Sequence, residues 1–271
     1  MRAIALFIIL SLGLALPSAA DEMTPLRQLV TGDDSRGWEA VGRLNIAGRG
    51  MCTGALIAPD LVLTAAHCLY DKDTRQLVDP TKIEFLAGLR NGRASAYRWV
   101  RNAVAHPAYV FEPEGRPQVR NDLALLRLEQ PIQNGSIQPF ETDTRPAKGA
   151  EVGVVSYAHD RSNTPALQET CHVLARQIGT LVLSCDVDFG SSGAPVFVVE
   201  DGVARIVSIV SAKAELGERR VALGTALEGP LEVLMQELAA LPTMPQARAP
   251  VVQRLSHGTT RSGTGAKFLR P

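Results

Sequence analysis

The chain has 271 residues, 45% of them hydrophobic, and its 28 basic side chains balance 28 acidic ones to a formal net charge of zero. That balance gives no electrostatic reason to expect nucleic acid or an anionic membrane surface as a partner. Aromatics make up only 5%, while Val, Leu, Ala and Gly are common, a mixture that fits short strands and tight turns and excludes a disordered chain.

The first twenty residues are patterned as a secretory signal. Arg2 supplies a positive start, Ala5 to Leu16 an apolar run, and Pro17 breaks it. Ser18-Ala19-Ala20 then gives small residues before a cleavage point, so Asp21 is the expected mature start. The apolar run is short for a spanning anchor and nothing later is long enough to replace it, so no stable membrane insertion is expected after signal removal. Residues 21–37 are polar, charged and without periodicity, as in a leader arm or short pro-segment, in which Arg36 offers one trimming point.

From Trp38 onward strand-like runs follow one another closely: AVGRLNIAG, CTGALIAP, LVLTAA, KIEFLAG and RWVRNAVAH. Turn signals separate them, among them Ala58-Pro59-Asp60 and Asn91-Gly92. A second set begins at Glu151 with EVGVVSYA, CHVLARQI, TLVLSCDV, APVFVVE, ARIVSIVS and VALGTAL. Within it Glu200-Asp201-Gly202 predicts a hairpin, because Asp-Gly suits a tight turn with positive φ. The two sets, joined by a connection around 129–148, predict an all-β protein of two packed antiparallel β-barrels, 38–130 and 131–229.

One long helical pattern follows at 230–241, PLEVLMQELAAL, which puts Leu231, Leu234, Met235 and Leu238 on one face. Pro230 is tolerated in a first turn and Pro242 stops the run. Residues 242–271 carry Arg248, Arg254, Arg261, Lys267 and Arg270 with no acidic residue among them, the composition of a basic flexible tail. Such a tail is either simply solvated or binds an anionic partner.

Four cysteines lie beyond the signal: Cys52, Cys68, Cys171 and Cys185. An even count in an exported chain implies disulfides made in an oxidising compartment. Of three pairings, the local pairs Cys52–Cys68 and Cys171–Cys185 are expected, each closing a loop of roughly fifteen residues worth about 3 kcal/mol in the chain-entropy model. A zinc site is the rival, weakened by the lack of any Cys-x-x-Cys pair.

Three motifs carry the chemistry: LTAAHC around His67, NDLALL around Asp122 and FGSSGAP around Ser192. A serine hydroxyl is a poor nucleophile at neutral pH and needs a histidine base. The histidine in turn needs a carboxylate to fix its tautomer and stabilise its imidazolium form. Asp122 opens an apolar run, where a carboxylate is expensive unless hydrogen-bonded, and accepting from His67 would meet that demand. Gly190 allows a turn closed to other residues, so that the N–H groups of Gly190 and Ser192 can act together as an oxyanion hole.

These motifs, together with HPAY at 106–109, make residues 38–241 resemble a trypsin-like (chymotrypsin-fold) serine protease, most closely the bacterial secreted branch that includes the glutamyl endopeptidases. The resemblance implies two six-stranded antiparallel barrels with the cleft between them and a C-terminal helix. It makes His67 the general base, Asp122 its orienting carboxylate and Ser192, not Ser191, the nucleophile. It also gives His106 a structural place, whereas His159, His172 and His257 have no such context. In animal trypsins an Asp precedes the nucleophile and pairs with a newly cut N-terminus; here that position is Ser191, so no activation of that kind is expected.

For specificity, Asp186 resembles the base of the trypsin pocket and on its own would favour Lys or Arg at the cleaved position. Bacterial relatives often carry an Asp beside a cysteine here without that preference. Where glutamyl endopeptidases use a Thr and a His, this chain has Val187 and Val210. IVSIVSAK resembles the strand that pairs with the substrate backbone, with Ser211 at the pocket rim. Lys213 stands where many relatives have Gly, narrowing the pocket or repelling a basic residue. Asp186 and Lys213 pull in opposite directions, which leaves the preference open.

The expectation is a secreted or periplasmic serine endopeptidase acting on a peptide or protein substrate. It would be a monomer, with no metal or cofactor and no nucleic-acid partner. Two rivals use the same residues: a catalytically silent protease-fold binding protein, and an esterase-type acyl hydrolase. A housekeeping protease of the high-temperature-requirement type is not expected, because the tail after 241 is too short for a peptide-binding PDZ domain.

Overall fold

Leu29, in the segment read as a leader arm, has no exposed surface at all. In the computed structural model, which describes residues 23–112, 118–143 and 146–242, this segment is docked rather than free. Strand β1 (Arg27–Gln28) pairs antiparallel with Leu167 and Ala166. Thr24 N–H donates to Thr170 O at 3.0 Å, and Gln168 Nε2 donates back to Thr24 O at 2.9 Å. The expected signal at 1–20, residues 21–22 and the basic tail beyond Pro242 lie outside the described residues.

The apolar runs of the first set become β2 (Val41–Ile46), β3 (Gly50–Ala58), β4 (Leu61–Thr64), β5 (Ile83–Ala87), β6 (Ala96–Ala105) and β7 (Ala124–Leu128). They close a barrel in the order β2-β3-β4-β7-β6-β5. Inward side chains meet across it in register: Leu44 opposite Phe85, Leu63 opposite Leu125, all without exposed surface. At roughly 25 cal/mol per Å² of apolar surface removed from water, such side chains are worth about 2 kcal/mol each.

The second set forms β8 (Glu141–Thr142), β9 (Glu151–Ser156), β10 (Ala166–Gln177), β11 (Thr180–Leu183), β12 (Pro195–Glu200), β13 (Val203–Leu216) and β14 (Arg219–Ala226). Six of these close a second antiparallel barrel in the order β9-β10-β11-β14-β13-β12, while β8 lies parallel against β13. Val154, Leu183, Val196 and Val207 fill its interior with the sulfurs of Cys171 and Cys185. The predicted hairpin joins β12 to β13 through Asp201 and Gly202, whose φ of 51° and 76° are the two positive values a tight turn of this kind requires.

Helix α1 (Pro230–Ala240) buries Leu234 and Leu238 against β6 and β7 of the first barrel. Met235, expected on the buried face, is instead 46% exposed, because the contact stripe is only one residue wide per turn. No helix among the described residues is long and apolar enough to cross a membrane. All these elements belong to one unit, Met1–Ala240; a second, Leu241–Pro271, is described only at its first two residues.

Candidate active site

The strand β4 ends at Thr64, and a 3-10 turn at Ala66–Leu69 carries His67 out of the barrel. The turn is pinned by the Cys52–Cys68 disulfide, with sulfurs 2.02 Å apart. A second 3-10 turn, Val119–Asn121, delivers Asp122 to the mouth of β7. The Asp122 side chain is only 3% exposed, so its charge needs donors. It has three: His67 N–H to Oδ1 at 2.8 Å, His67 Nδ1 to Oδ2 at 2.7 Å, and the Ser211 hydroxyl, also to Oδ2. A proton held on Nδ1 by the carboxylate leaves the Nε2 lone pair of the neutral ring free.

Ser192 sits in a loop fixed from both sides. Its carbonyl accepts from Thr53 N–H at 2.8 Å, and the Gly190 carbonyl accepts from the Thr53 hydroxyl at 3.0 Å. The same hydroxyl accepts from Tyr157 N–H at 3.1 Å, so one buried β3 threonine ties the serine loop to the first barrel. Gly190 has a φ of +100° and Gly193 a φ of +78°. A Cβ on Gly193 would fall on Thr64 Oγ1 and the Thr53 carbonyl oxygen, which only glycine avoids. The Gly193 N–H is used, donating to Val210 O at 2.8 Å. The N–H groups of Gly190 and Ser192 have no acceptor among the described residues.

Ser191, where animal trypsins carry the activation carboxylate, is fully buried. Its hydroxyl donates to Tyr157 O at 3.2 Å and accepts from Asp188 N–H at 3.3 Å and from the buried Arg161 Nη2 at 3.4 Å.

His67 and Ser192 line one open cleft of about 320 Å³. No hydrogen bond joins Ser192 Oγ to His67 Nε2 among the described residues. Of the predicted pocket residues, Val187, Val210, Ser211 and Lys213 also line this cleft. Asp186 does not. It is exposed in a neighbouring concavity of about 1110 Å³ beside Gln168 and the docked segment from Met23 to Leu26. Its N–H donates to Gln168 Oε1 at 2.8 Å. Lys213 therefore finds a different carboxylate: Nζ lies 2.8 Å from Asp188 Oδ1 and 4.0 Å from the centre of the Phe189 ring. The hydrogen bond from Lys213, and one from Phe189 N–H, hold the Asp188 carboxyl below its ordinary range.

Sequence reasoning missed Thr53, Arg161, Asp188 and the bond from Ser211 to Asp122. It also missed an aromatic wall, where Phe111 stacks on Tyr70 at 4.9 Å and Tyr109 packs beside it at 5.9 Å. Burial, reinforced by the Asp122 charge, pushes the Tyr109 phenol far above its ordinary range. Only the aromatic wall left a signal, in the HPAY segment; the contacts of Thr53 with Gly190, Arg161 with Ser191, Asp188 with Lys213 and Ser211 with Asp122 all join residues more than twenty positions apart. His106 takes a local role, with Nδ1 accepting from Ala108 N–H at 3.2 Å, and burial lowers its pKa. Cys52, His67 and Cys68 cluster at a spacing that would suit a metal ion, but the two sulfurs are bonded to each other and neither is a thiolate. The other disulfide, Cys171–Cys185, has sulfurs 2.00 Å apart.

Residues 30–224 match the family model described as Trypsin. The chain is 31% identical over 166 residues to Kallikrein 1-related peptidase b27 of Mus musculus, covering 55% of this chain and 57% of that protein. It is 26% identical over 151 residues to Glutamyl endopeptidase of Bacillus licheniformis, covering 55% of this chain and 45% of the relative. The chain thus spans about half the length of the curated relatives it matches. Among solved structures, a Glu endopeptidase in complex with MPD superposes with a TM-score of 0.65 at 17% identity, over 82% of this chain and 98% of that one. At that identity the likeness is one of fold, and the fold is the chymotrypsin-like pair of six-stranded barrels.

Proposed function

Because this chain belongs to the trypsin family, we propose that it is an exported serine endopeptidase that cleaves peptide or protein substrates through an acyl-enzyme on Ser192. The observation that carries this reading is the His67 Nδ1 to Asp122 Oδ2 contact at 2.7 Å in the same cleft that Ser192 lines. The N–H groups of Gly190 and Ser192, without an acceptor among the described residues, support it, since an oxyanion hole needs two donors with no competing acceptor.

Ser192 Oγ attacks the scissile carbonyl carbon as His67 Nε2 takes the hydroxyl proton. The carbonyl π pair moves onto oxygen, where the Gly190 and Ser192 N–H groups receive it, each donor contributing about 3 kcal/mol in the transition state. Asp122 stabilises the imidazolium ion without taking its proton, and Ser211 fixes the carboxylate rotamer. The tetrahedral adduct collapses as the C–N bond breaks and His67 hands its proton to the departing amine. Water then repeats the sequence on the ester, releasing the acid and restoring Ser192.

Export is supported by the signal pattern at 1–20 and by two disulfides, which persist in oxidising compartments. Action as a monomer belongs to the same proposal. The test is intact-mass labelling with a small fluorophosphonate, beside Ser192→Ala. One adduct on the wild type and none on the variant is expected. An unlabelled wild type that is folded and disulfide-bonded would overturn the reading in favour of a silent binding protein. Labelling with ester turnover but no peptide cleavage would favour an acyl hydrolase.

A further inference from the structure

The two concavities beside Ser192 share three residues, Val187, Asp188 and Lys213. The Lys213–Asp188 ion pair therefore stands between the cleft that holds His67 and Ser192 and the larger hollow that holds Asp186. It bridges two separate walls: Asp188 comes from the loop that leads into the nucleophile, and Lys213 from β13, two residues beyond the Ser211 that holds Asp122. Around the pair the cleft wall is apolar, with Val187, Val210 and Ala212. The Phe189 ring braces the ammonium from one side. Among the described residues, the remaining charged side chains on the cleft are Lys72 and Glu112, of opposite sign, besides Asp122, which His67 already occupies.

We propose that Asp188 and Lys213 are the paired specificity determinants of this site, cancelling each other so that the enzyme takes an uncharged side chain at the cleaved position. The inference rests on the protease reading above. A cationic side chain entering between Val187 and Val210 meets the Lys213 ammonium; an anionic one meets the Asp188 carboxylate. Neither finds an unpaired counter-charge, and each would have to give up water to enter. Removing one member changes the sign of what is left. Without Lys213, Asp188 is unpaired at the cleft and the way to Asp186 is open, so a basic side chain is rewarded. Without Asp188, Lys213 is unpaired, and an acidic side chain is rewarded. A wall that acted by bulk alone would not shift the Arg-to-Glu ratio in opposite directions on loss of the two charges.

The test compares wild type, Lys213→Ala and Asp188→Asn on one peptide series differing only at the cleaved position: Arg, Glu, Val and Ala. The readout is the ratio of kcat/KM values within each variant, so a general loss of activity drops out. Both side chains are about half exposed, so neither substitution endangers folding. The wild type should favour Val and Ala over both charged residues. The Arg-to-Glu ratio should rise about tenfold in Lys213→Ala and fall about tenfold in Asp188→Asn, since that ratio counts an exposed charge contact twice. Equal ratios in all three proteins, or a shift of the same sign in both variants, would overturn the pairing while leaving a labelled Ser192 protease intact. Absence of fluorophosphonate labelling on the wild type would instead overturn the protease reading, and this inference with it.

Discussion

Thr53 is the residue on which the serine loop most depends for its position, and Thr53→Val isolates that dependence. Valine has nearly the shape of threonine, so packing is kept while one oxygen is lost. That oxygen donates to the Gly190 carbonyl at 3.0 Å and accepts from Tyr157 N–H at 3.1 Å, with Thr53 and Tyr157 both fully buried. Its removal leaves two buried backbone groups unpaired, each costing about 1–3 kcal/mol. The added methyl returns about 0.8 kcal/mol, so the net loss should be about 3 kcal/mol. For a domain of this size that corresponds to a fall in Tm of roughly 10 °C. Calorimetry with both disulfides intact measures it, and the rate of fluorophosphonate labelling well below Tm reports whether the Gly190 peptide has turned. Labelling should slow more than the small unfolded fraction explains. Thr53→Ser keeps the hydroxyl and loses one methyl, and should cost only about 1 kcal/mol. A valine variant as stable as the serine variant, labelled at the wild-type rate, would refute the reasoning.

Two further outcomes are expected. Gly193→Ala forces a side chain into left-handed φ and onto Thr64 Oγ1 and the Thr53 carbonyl, a combination of strain and overpacking worth about 3 kcal/mol; thermal melting should record the loss, and labelling of Ser192 should vanish even where the variant is folded. Asp188 titrates below its ordinary value because Lys213 and Phe189 N–H donate to it. Its folded pKa lies below the unfolded value of about 3.9, so its contribution is complete above that pH and disappears only as pH falls through the folded value. A carboxyl NMR titration should place the Asp188 midpoint higher in Lys213→Ala than in the wild type; equal midpoints would contradict the ion pair.

How much could be read from the chain depends on the range of each interaction. Strand runs, the Asp201-Gly202 turn and helix α1 are local patterns of apolar spacing and turn chemistry, so their positions follow from neighbouring residues. The Cys52–Cys68 and Cys171–Cys185 pairs were accessible for the same reason, being close in sequence. The candidate site residues stand in motifs, whereas the contacts that hold them do not. Nothing near Thr53 announces that its hydroxyl reaches a loop 137 positions away, and Ser211 lies 89 positions from Asp122. The docking of segment 23–37 was illegible for another reason: its anchoring is mostly backbone pairing at Arg27 and Thr24 plus one buried leucine, which leaves no periodicity. Asp186 resembles the pocket base only by its place along the chain, which does not tell on which side of Lys213 a carboxylate lies.

Each end of the described unit completes the barrel it does not belong to. The segment that begins the fold, with β1 and Leu29, is paired to β10 of the second barrel; the helix that ends it lays Leu234 and Leu238 on β6 and β7 of the first. The barrel bearing His67 and Asp122 thus lacks part of its cover until residue 238 has been made, and the barrel bearing Ser192 lacks an edge strand if residues 24–29 are lost. Both barrels thus rest on contacts between residues distant in sequence, which slows folding. A nick near either terminus weakens the half of the molecule farthest from it in sequence.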